Sequence, residues 1–517
     1  MRTRPVVLTS AAVLLLIAGL LPLVVMCAKS VSIDGRVSLA HYRDLLASAR
    51  PWVLMTHSLV LASLTTLCAT AIGLPLGILF SKTDVPLGRV FAALFTIPLL
   101  APPYITAVAW FDMLGKARFL GRAWLFGLPG CVLVLTSTFL PVVILLTMTY
   151  LNTVNPRLEE AGRLVAGWPR VLRQITIPLV RPGLLLAAML VFLLTMGEFG
   201  VPTFLRYDVF AVESFTQFSA FYNFGAATAA AIPLALVTLV LLAFERRFLR
   251  ERTCQLRPVS TAERPPTIAL GSARGWVLVG VGFLCLILVI APVSILVWQS
   301  LSGGAYLEAF SRAGGSLLRS LAYAALGASL LALLGFLVGY LIHAQALPFW
   351  RTLDSLTLFL FALPGTVIGI GLIALWNRPA TNFIYATPAI ILLGFLAQYS
   401  ALTSRITVAA LGQLPPSMEE AAQVLGAGWL RRTTAIVAPL AKRGLAAGWL
   451  VAYIFCLRDM GISMLVYPPG HDTFPVRIFT LMANGSSGLI AALCVLMLAV
   501  TLVPLGLLSL GWRAHAH

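Results

Sequence analysis

The chain is poor in charge and poorest in acids, with 18 Asp and Glu against 36 Lys and Arg in 517 residues and charged residues at only 10%. Soluble domains carry about a quarter of their residues charged, so a water-borne globule is excluded. The seven cysteines (Cys27, Cys68, Cys131, Cys254, Cys285, Cys456, Cys494) stand apart, odd in number and without a C-x-x-C pair. That pattern argues against a disulfide framework or a thiolate metal site, and leaves them as small packing residues. The six histidines are equally dispersed, His515 and His517 in the tail, and no metal site is expected. A G-x-x-x-x-G-K-[ST] loop is missing, so the chain has no such cradle for ATP and no cofactor of its own is expected. H-E-x-x-H and G-x-S-x-G are missing too, which disfavours a membrane enzyme.

What is present is hydrocarbon: 60% hydrophobic residues and a mean hydropathy of +0.96. A helix of about 20 apolar residues crosses a ~30 Å bilayer core, and such runs occur at 6–28, 54–80, 90–112, 131–151, 184–205, 225–244, 276–298, 317–342, 353–376, 388–410, 445–467 and 488–510. Spans two, three and nine contain prolines or glycines able to break or kink them. The first run is too long for a signal-peptide core and no A-x-A site follows it, so it reads as a retained helix. The fold class expected is an all-α polytopic membrane protein of about twelve helices.

Basic residues are retained on the cytoplasmic side, and they fall mostly there if Arg2 and Arg4 are inside, which puts both termini in the cytoplasm. The segment 245–275 is the most basic, with Arg246, Arg247, Arg250, Arg252, Arg257, Arg264 and Arg274 beside Pro258, Pro265 and Pro266. It reads as a flexible linker between a half at 1–244 and a half at 276–517. Its arginines suit topology and anionic lipid headgroups, so the charge of +18 implies a bilayer and no nucleic acid.

The halves repeat. Ser58, Gly73 and Gly77 return as Ser320, Gly335 and Gly339; Glu198 and Gly200 return as Asp459 and Gly461. Six spans separate equivalent positions, so this is a parallel repeat with an axis along the membrane normal, a natural place for a pathway. Each half also carries a polar loop, 152–183 and 411–444, between its fourth and fifth spans. Asn155-Pro156 supplies an N-cap and a first-turn proline, and Ser417-Met418-Glu419-Glu420 has the form of a capping box. Each loop is thus expected to open a short helix bearing Glu159 and Glu160 or Glu419 and Glu420. Gly167, or Gly426 and Gly428, should interrupt it before a second amphipathic turn at Trp168 or Trp429.

At these residues the chain resembles the membrane subunits of binding-protein-dependent ABC importers, whose signature is E-A-A, three residues, G, nine residues, I, one residue, L, P. The second loop follows it through Glu420, Ala421, Ala422, Gly426, Ile436 and Pro439, with Ala438 in place of Leu; the first has Glu160, Ala161 and Gly162, and is one residue shorter between Glu and Trp. The resemblance implies a type I, MetI-like permease fold in the bacterial inner membrane. It further implies that both loops, including Glu159, Glu160, Ala161, Gly167, Trp168 and Glu419, Glu420, Ala421, Ala422, Gly426, Gly428, Trp429, are coupling helices. Two copies of a P-loop ATPase, which use the ATP, and a soluble substrate-binding protein would be the partners.

The Pro-rich third span, Ile97 to Tyr104, and the segments Cys456 to Met460, Tyr467-Pro468-Pro469 and Thr473 to Arg477 are similar to the ferric-iron branch. Relatives of that branch handle thiamine, phosphonates and polyamines. Charges inside a bilayer are costly, which makes Glu198 and Asp459 candidates for a pathway that suits a cation. Glu198 lies about 22 Å along its helix, and Arg458 is a possible partner of either acid. The competing class is an ion-gradient-driven secondary transporter, which would place more ionisable groups at mid-membrane.

Overall fold

The computed structural model describes residues 3–33, 36–115, 122–219, 224–248 and 267–514. Most of the linker and the tail histidines lie outside the described residues. Among those described, nine helices are long and apolar enough to cross a membrane: Arg4–Ser30, Ala49–Lys82, Leu128–Leu151, Trp168–Met196, Gly225–Glu245, Gly271–Ser300, Ala305–His343, Ala389–Leu411 and Ser487–Gly506. Three more spans are bent pairs, Gly88–Leu100 with Pro103–Leu114 at 103°, Trp350–Ala362 with Gly365–Trp376 at 108°, and Trp429–Leu440 with Lys442–Leu457 at 77°. The chain is therefore a multi-pass, all-α membrane protein whose spans form two six-helix repeats.

Proline chemistry separates the breaks in spans three and nine from the intact span two. A residue before proline is pushed towards extended backbone, and in these two spans two extended residues follow one another: Ala101 and Pro102 with ψ 158° and 139°, Leu363 and Pro364 with ψ 142° and 136°. Span eleven bends instead at Ala441, whose φ of −82° and ψ of 0° are not extended. Span two, expected as a candidate for breaking, runs unbroken through Pro75, where a lone proline costs one hydrogen bond and no second extended residue follows. Spans five and eleven were expected to reach 205 and 467. Their helices stop at Met196 and Leu457, because Glu198 and Asp459 cap new short helices beyond the stop.

Four helices widen into a π-type turn just before a proline: Leu16–Leu20 before Pro22, Leu286–Ile290 before Pro292, Leu172–Thr176 before Pro178, and Thr433–Val437 before Pro439. In an α-helix the proline ring collides with the carbonyl four residues back. Those carbonyls, on Ala18, Leu288, Gln174 and Ala435, each lie at the middle of the widened turn, which gives the ring room. The device recurs in spans one and five of both repeats.

The chain divides into two compact units, one formed by residues up to Pro51, Glu213–Ala235 and everything from Gly303, the other by Trp52–Val212 and Leu236–Ser302. This partition differs from a division at the linker into 1–244 and 276–517. In the first unit Arg4–Ser30 packs on the second repeat's Gly365–Trp376 and Ala389–Leu411, with a Cβ on Gly371 coming 3.3 Å from the Pro22 backbone. In the other unit Gly271–Ser300 packs on the first repeat's Gly88–Leu100 and Pro103–Leu114. Each leading span thus lies against the broken third span of the other repeat.

Within each unit the second span packs on the fourth through two glycines four residues apart. Cβ atoms on Gly73 and Gly77 would come 2.8 Å from Val143 and 2.6 Å from Thr147, and one on Gly339 would come 2.7 Å from Thr407. Small residues at this spacing let helix backbones approach where lipid offers no hydrophobic drive. The repeated serines have a matching task. Ser58 Oγ accepts the amide of Phe210 at 2.8 Å and Ser320 Oγ that of Phe474 at 2.6 Å, and each secures the start of the second short helix after span five, Phe210–Ser219 or Phe474–Leu481.

Candidate functional site

Both polar loops fold as a helix, a turn and a helix. The first opens at Asn155, whose side chain accepts the Arg157 amide at 3.0 Å, and runs through Pro156–Val165; after Gly167 as N-cap the chain resumes at Trp168. The second runs through Pro416–Val424 and resumes at Trp429 after Gly428 as N-cap. Its expected capping box is not formed. Helix starts at Pro416 with Pro415 as N-cap and no side-chain cap, because proline at the first position is already set for helix, and Ser417 lies inside.

Residues 158–165 and 418–425 correspond at a spacing of 260 and the tryptophans at 261. The additional residue in the second loop falls in the turn between its helices, where Gly426 has a φ of +79°. That left-handed backbone is open to glycine at little cost.

Successive helical residues point about 100° apart, so two adjacent acids cannot face the same way. Glu159 is fully buried: Lys82 Nζ donates to one oxygen at 2.7 Å and Thr176 Oγ1 to the other at 2.8 Å. Lys82, the last residue of the long second helix, is buried as well. In the second loop Tyr340 donates its hydroxyl to Glu419 at 2.8 Å, and Arg432 lies 3.7 Å from the same oxygen. Tyr340 also meets Trp429 edge-on at 5.9 Å, and Arg432 reaches the Ala427 carbonyl at 3.4 Å. The first acid of each loop is therefore an anchor to the second span of its repeat.

The second acids, Glu160 and Glu420, point outward with Ala161 and Ala421, as do Gly167, Gly426 and Gly428. Ala422 and Trp429 are buried, while Trp168 is half-buried under Arg163, whose guanidinium lies 4.9 Å from its ring centre. Beside the outward acids each helix ends in an apolar pair: Leu164 and Val165 are 89% and 88% exposed, Val424 and Leu425 86% and 87%. Both loops thus present an exposed apolar pair beside an outward acid. Sequence reading missed the tips and the anchors Lys82, Thr176, Tyr340 and Arg432. The helical angle between the paired acids was the available signal for an inward partner.

Glu198 and Asp459 occupy equivalent breaks. Glu198, half-buried, accepts the amides of Gly200 and Val201 at 2.9 and 3.3 Å. Asp459 is buried and accepts the Tyr399 hydroxyl at 2.8 Å, the Ser463 amide at 2.9 Å and the Ser463 hydroxyl at 2.7 Å. Both carboxylates thus hold the start of the next short helix. The Arg458 guanidinium stands 5.2 Å over the Phe455 ring.

Among the described residues, nine straight and three bent spans in two repeats, each with an acid-anchored amphipathic loop between its fourth and fifth spans, define a multi-pass permease. No protein-family model matches the chain. Over most of its length it is similar to ferric-iron permeases. It is 25% identical to the ferric transport system permease protein FbpB of Actinobacillus pleuropneumoniae across 87% of this chain and 70% of that one. It is 22% identical to the Fe(3+)-transport system permease protein FbpB 2 of Haemophilus influenzae across 86% and 87%. A Haloferax volcanii permease whose name points to molybdenum is 34% identical across 29% of this chain and 58% of its own. A solved chain of the MetNI methionine ABC transporter overlaps 40% of this chain and 99% of its own at 19% identity and a TM-score of 0.35, so the fold is read from the helices themselves.

Proposed function

We propose that this chain is the membrane permease of an ATP-driven importer of ferric iron, resident in a bacterial inner membrane with both termini in the cytoplasm. It catalyses no reaction itself. Two copies of a P-loop ATPase bind its loops and use the ATP, and a soluble binding protein delivers substrate on the other side. The observation that carries this reading is the matched pair of loops, each presenting an apolar tip beside an outward glutamate, Glu160 with Leu164 and Val165 and Glu420 with Val424 and Leu425.

A groove on an ATPase subunit that takes up such a tip gains affinity from apolar burial and orientation from the acid. Movement of the tip is then passed through Glu159 to Lys82, or through Glu419 to Tyr340, into the second span. Iron as passenger is supported by the two ferric permeases similar over most of the chain. The test is uptake of radiolabelled ferric iron by cells whose proton gradient has been collapsed while ATP is maintained. Uptake continues on this reading, and it stops if the chain is a gradient-driven transporter.

A further inference from the structure

The start of each repeat touches the coupling-loop anchor of the other repeat. Ahead of the second repeat, Ile268 pairs with Thr83 as a short parallel bridge. Its amide donates to the Lys82 carbonyl at 2.7 Å and its carbonyl accepts the Asp84 amide at 3.2 Å, while the Leu270 amide donates to Asp84 Oδ1 at 2.9 Å. These bonds fix the turn that carries Lys82, the residue holding Glu159. At the start of the first repeat, the Arg4 guanidinium stands 5.8 Å from the centre of the Tyr340 ring, and Tyr340 holds Glu419. The leading helix also packs on the second loop's helix Trp429–Arg432. The same relation is made twice with different chemistry, once by backbone bonds and once by a cation over an aromatic face.

We propose that these leading segments, Thr267–Leu270 and the first turn at Arg4, are positioning braces that set the coupling helix of the other repeat by holding Lys82 and Tyr340. A segment of one repeat thereby fixes the loop of the other, and loosening the brace frees the tip without removing any group that meets the ATPase. The function assigned to the tips rests on the importer reading above; the brace itself does not.

The experiment uses full-length protein in lipid nanodiscs with a nitroxide on Leu164→Cys, native cysteines replaced. Ile268→Pro deletes the amide that bonds Lys82, and Ile268→Ala keeps it. Asp84→Ala removes the acceptor for Leu270 and serves if the proline variant does not express. The expected result is a mobile label in Ile268→Pro and in Asp84→Ala and an ordered one in Ile268→Ala. In sealed proteoliposomes of unlabelled protein that keeps Leu164, with ATPase and binding protein added, ATP spent per ferric ion imported rises about tenfold in the two loosened variants, as expected for the loss of one or two hydrogen bonds. Equal label mobility in Ile268→Pro, Asp84→Ala and Ile268→Ala overturns the brace. The label reports without any ATPase present, so a freed loop in a protein that engages no ATPase supports the brace while the importer reading alone fails.

Discussion

The two polar loops reach one geometry with different residues. In the first, the anchoring acid is locked in a fully buried pair, Lys82 with Glu159, completed by Thr176. In the second, the Glu419 side chain is 31% exposed and held by the Tyr340 hydroxyl, with Arg432 beyond hydrogen-bond length. The second loop also has the additional joint at Gly426. Position is thus kept across the repeat while strength is not. A buried pair gives all-or-none attachment, because either partner left alone is an uncompensated buried charge. A half-exposed anchor is weakened by water and salt. The first loop is built as a rigid lever and the second as a jointed one.

The sharpest way to break this comparison is Lys82→Met, which strands Glu159 and is expected to cost about 3–5 kcal/mol, whereas Arg432→Met costs about 1 kcal/mol or less at its partly exposed partner. Thermal unfolding in detergent measures both, and equal losses would erase the distinction; Lys82→Met with Glu159→Gln should recover most of the stability. Next in size is the pair of breaks after span five. Asp459→Asn turns an acceptor of three donors into a group with donors of its own, at about 2 kcal/mol, and Glu198→Gln costs less because its site is half-buried. Gly426→Ala should cost about 1–2 kcal/mol for its left-handed backbone. Gly167→Ala, at φ −71°, is expected to be neutral or slightly stabilising. Tyr340→Phe should cost about 1 kcal/mol for one hydrogen bond, with salt sensitivity at the second loop rising above that at the first.

Much of this was legible in the sequence, and for identifiable reasons. Twelve apolar runs fix twelve spans because bilayer thickness sets helix length, and Pro102-Pro103 and Leu363-Pro364-Gly365 announce breaks through backbone sterics alone. The paired loops were found because their composition departs from that of the surrounding helices. What could not be read was pairing across distance. Nothing near Glu159 in sequence names Lys82, 77 residues back, and a repeat comparison misleads there because the second repeat uses Tyr340 and Arg432 instead. The capping box at Ser417 is not formed because the helix starts at Pro416 with Pro415 as its N-cap, two residues earlier than a cap at Ser417 would place it. Glu198 and Asp459 stand out in the sequence as candidates for a pathway because of their charge at depth, and their bonds to the amides of Gly200 and Ser463 show what that charge holds in the fold.

The most direct test of the central claim is purification of the tagged protein from its native membrane in mild detergent, with co-purifying chains identified by mass spectrometry beside a Glu160→Ala/Glu420→Ala variant. The account predicts a P-loop ATPase at about two copies per permease, lost in the variant because each loop supplies one docking tip with one outward acid. A permease recovered alone from wild-type membranes that still drive uptake, or an ATPase retained equally by the variant, would contradict it.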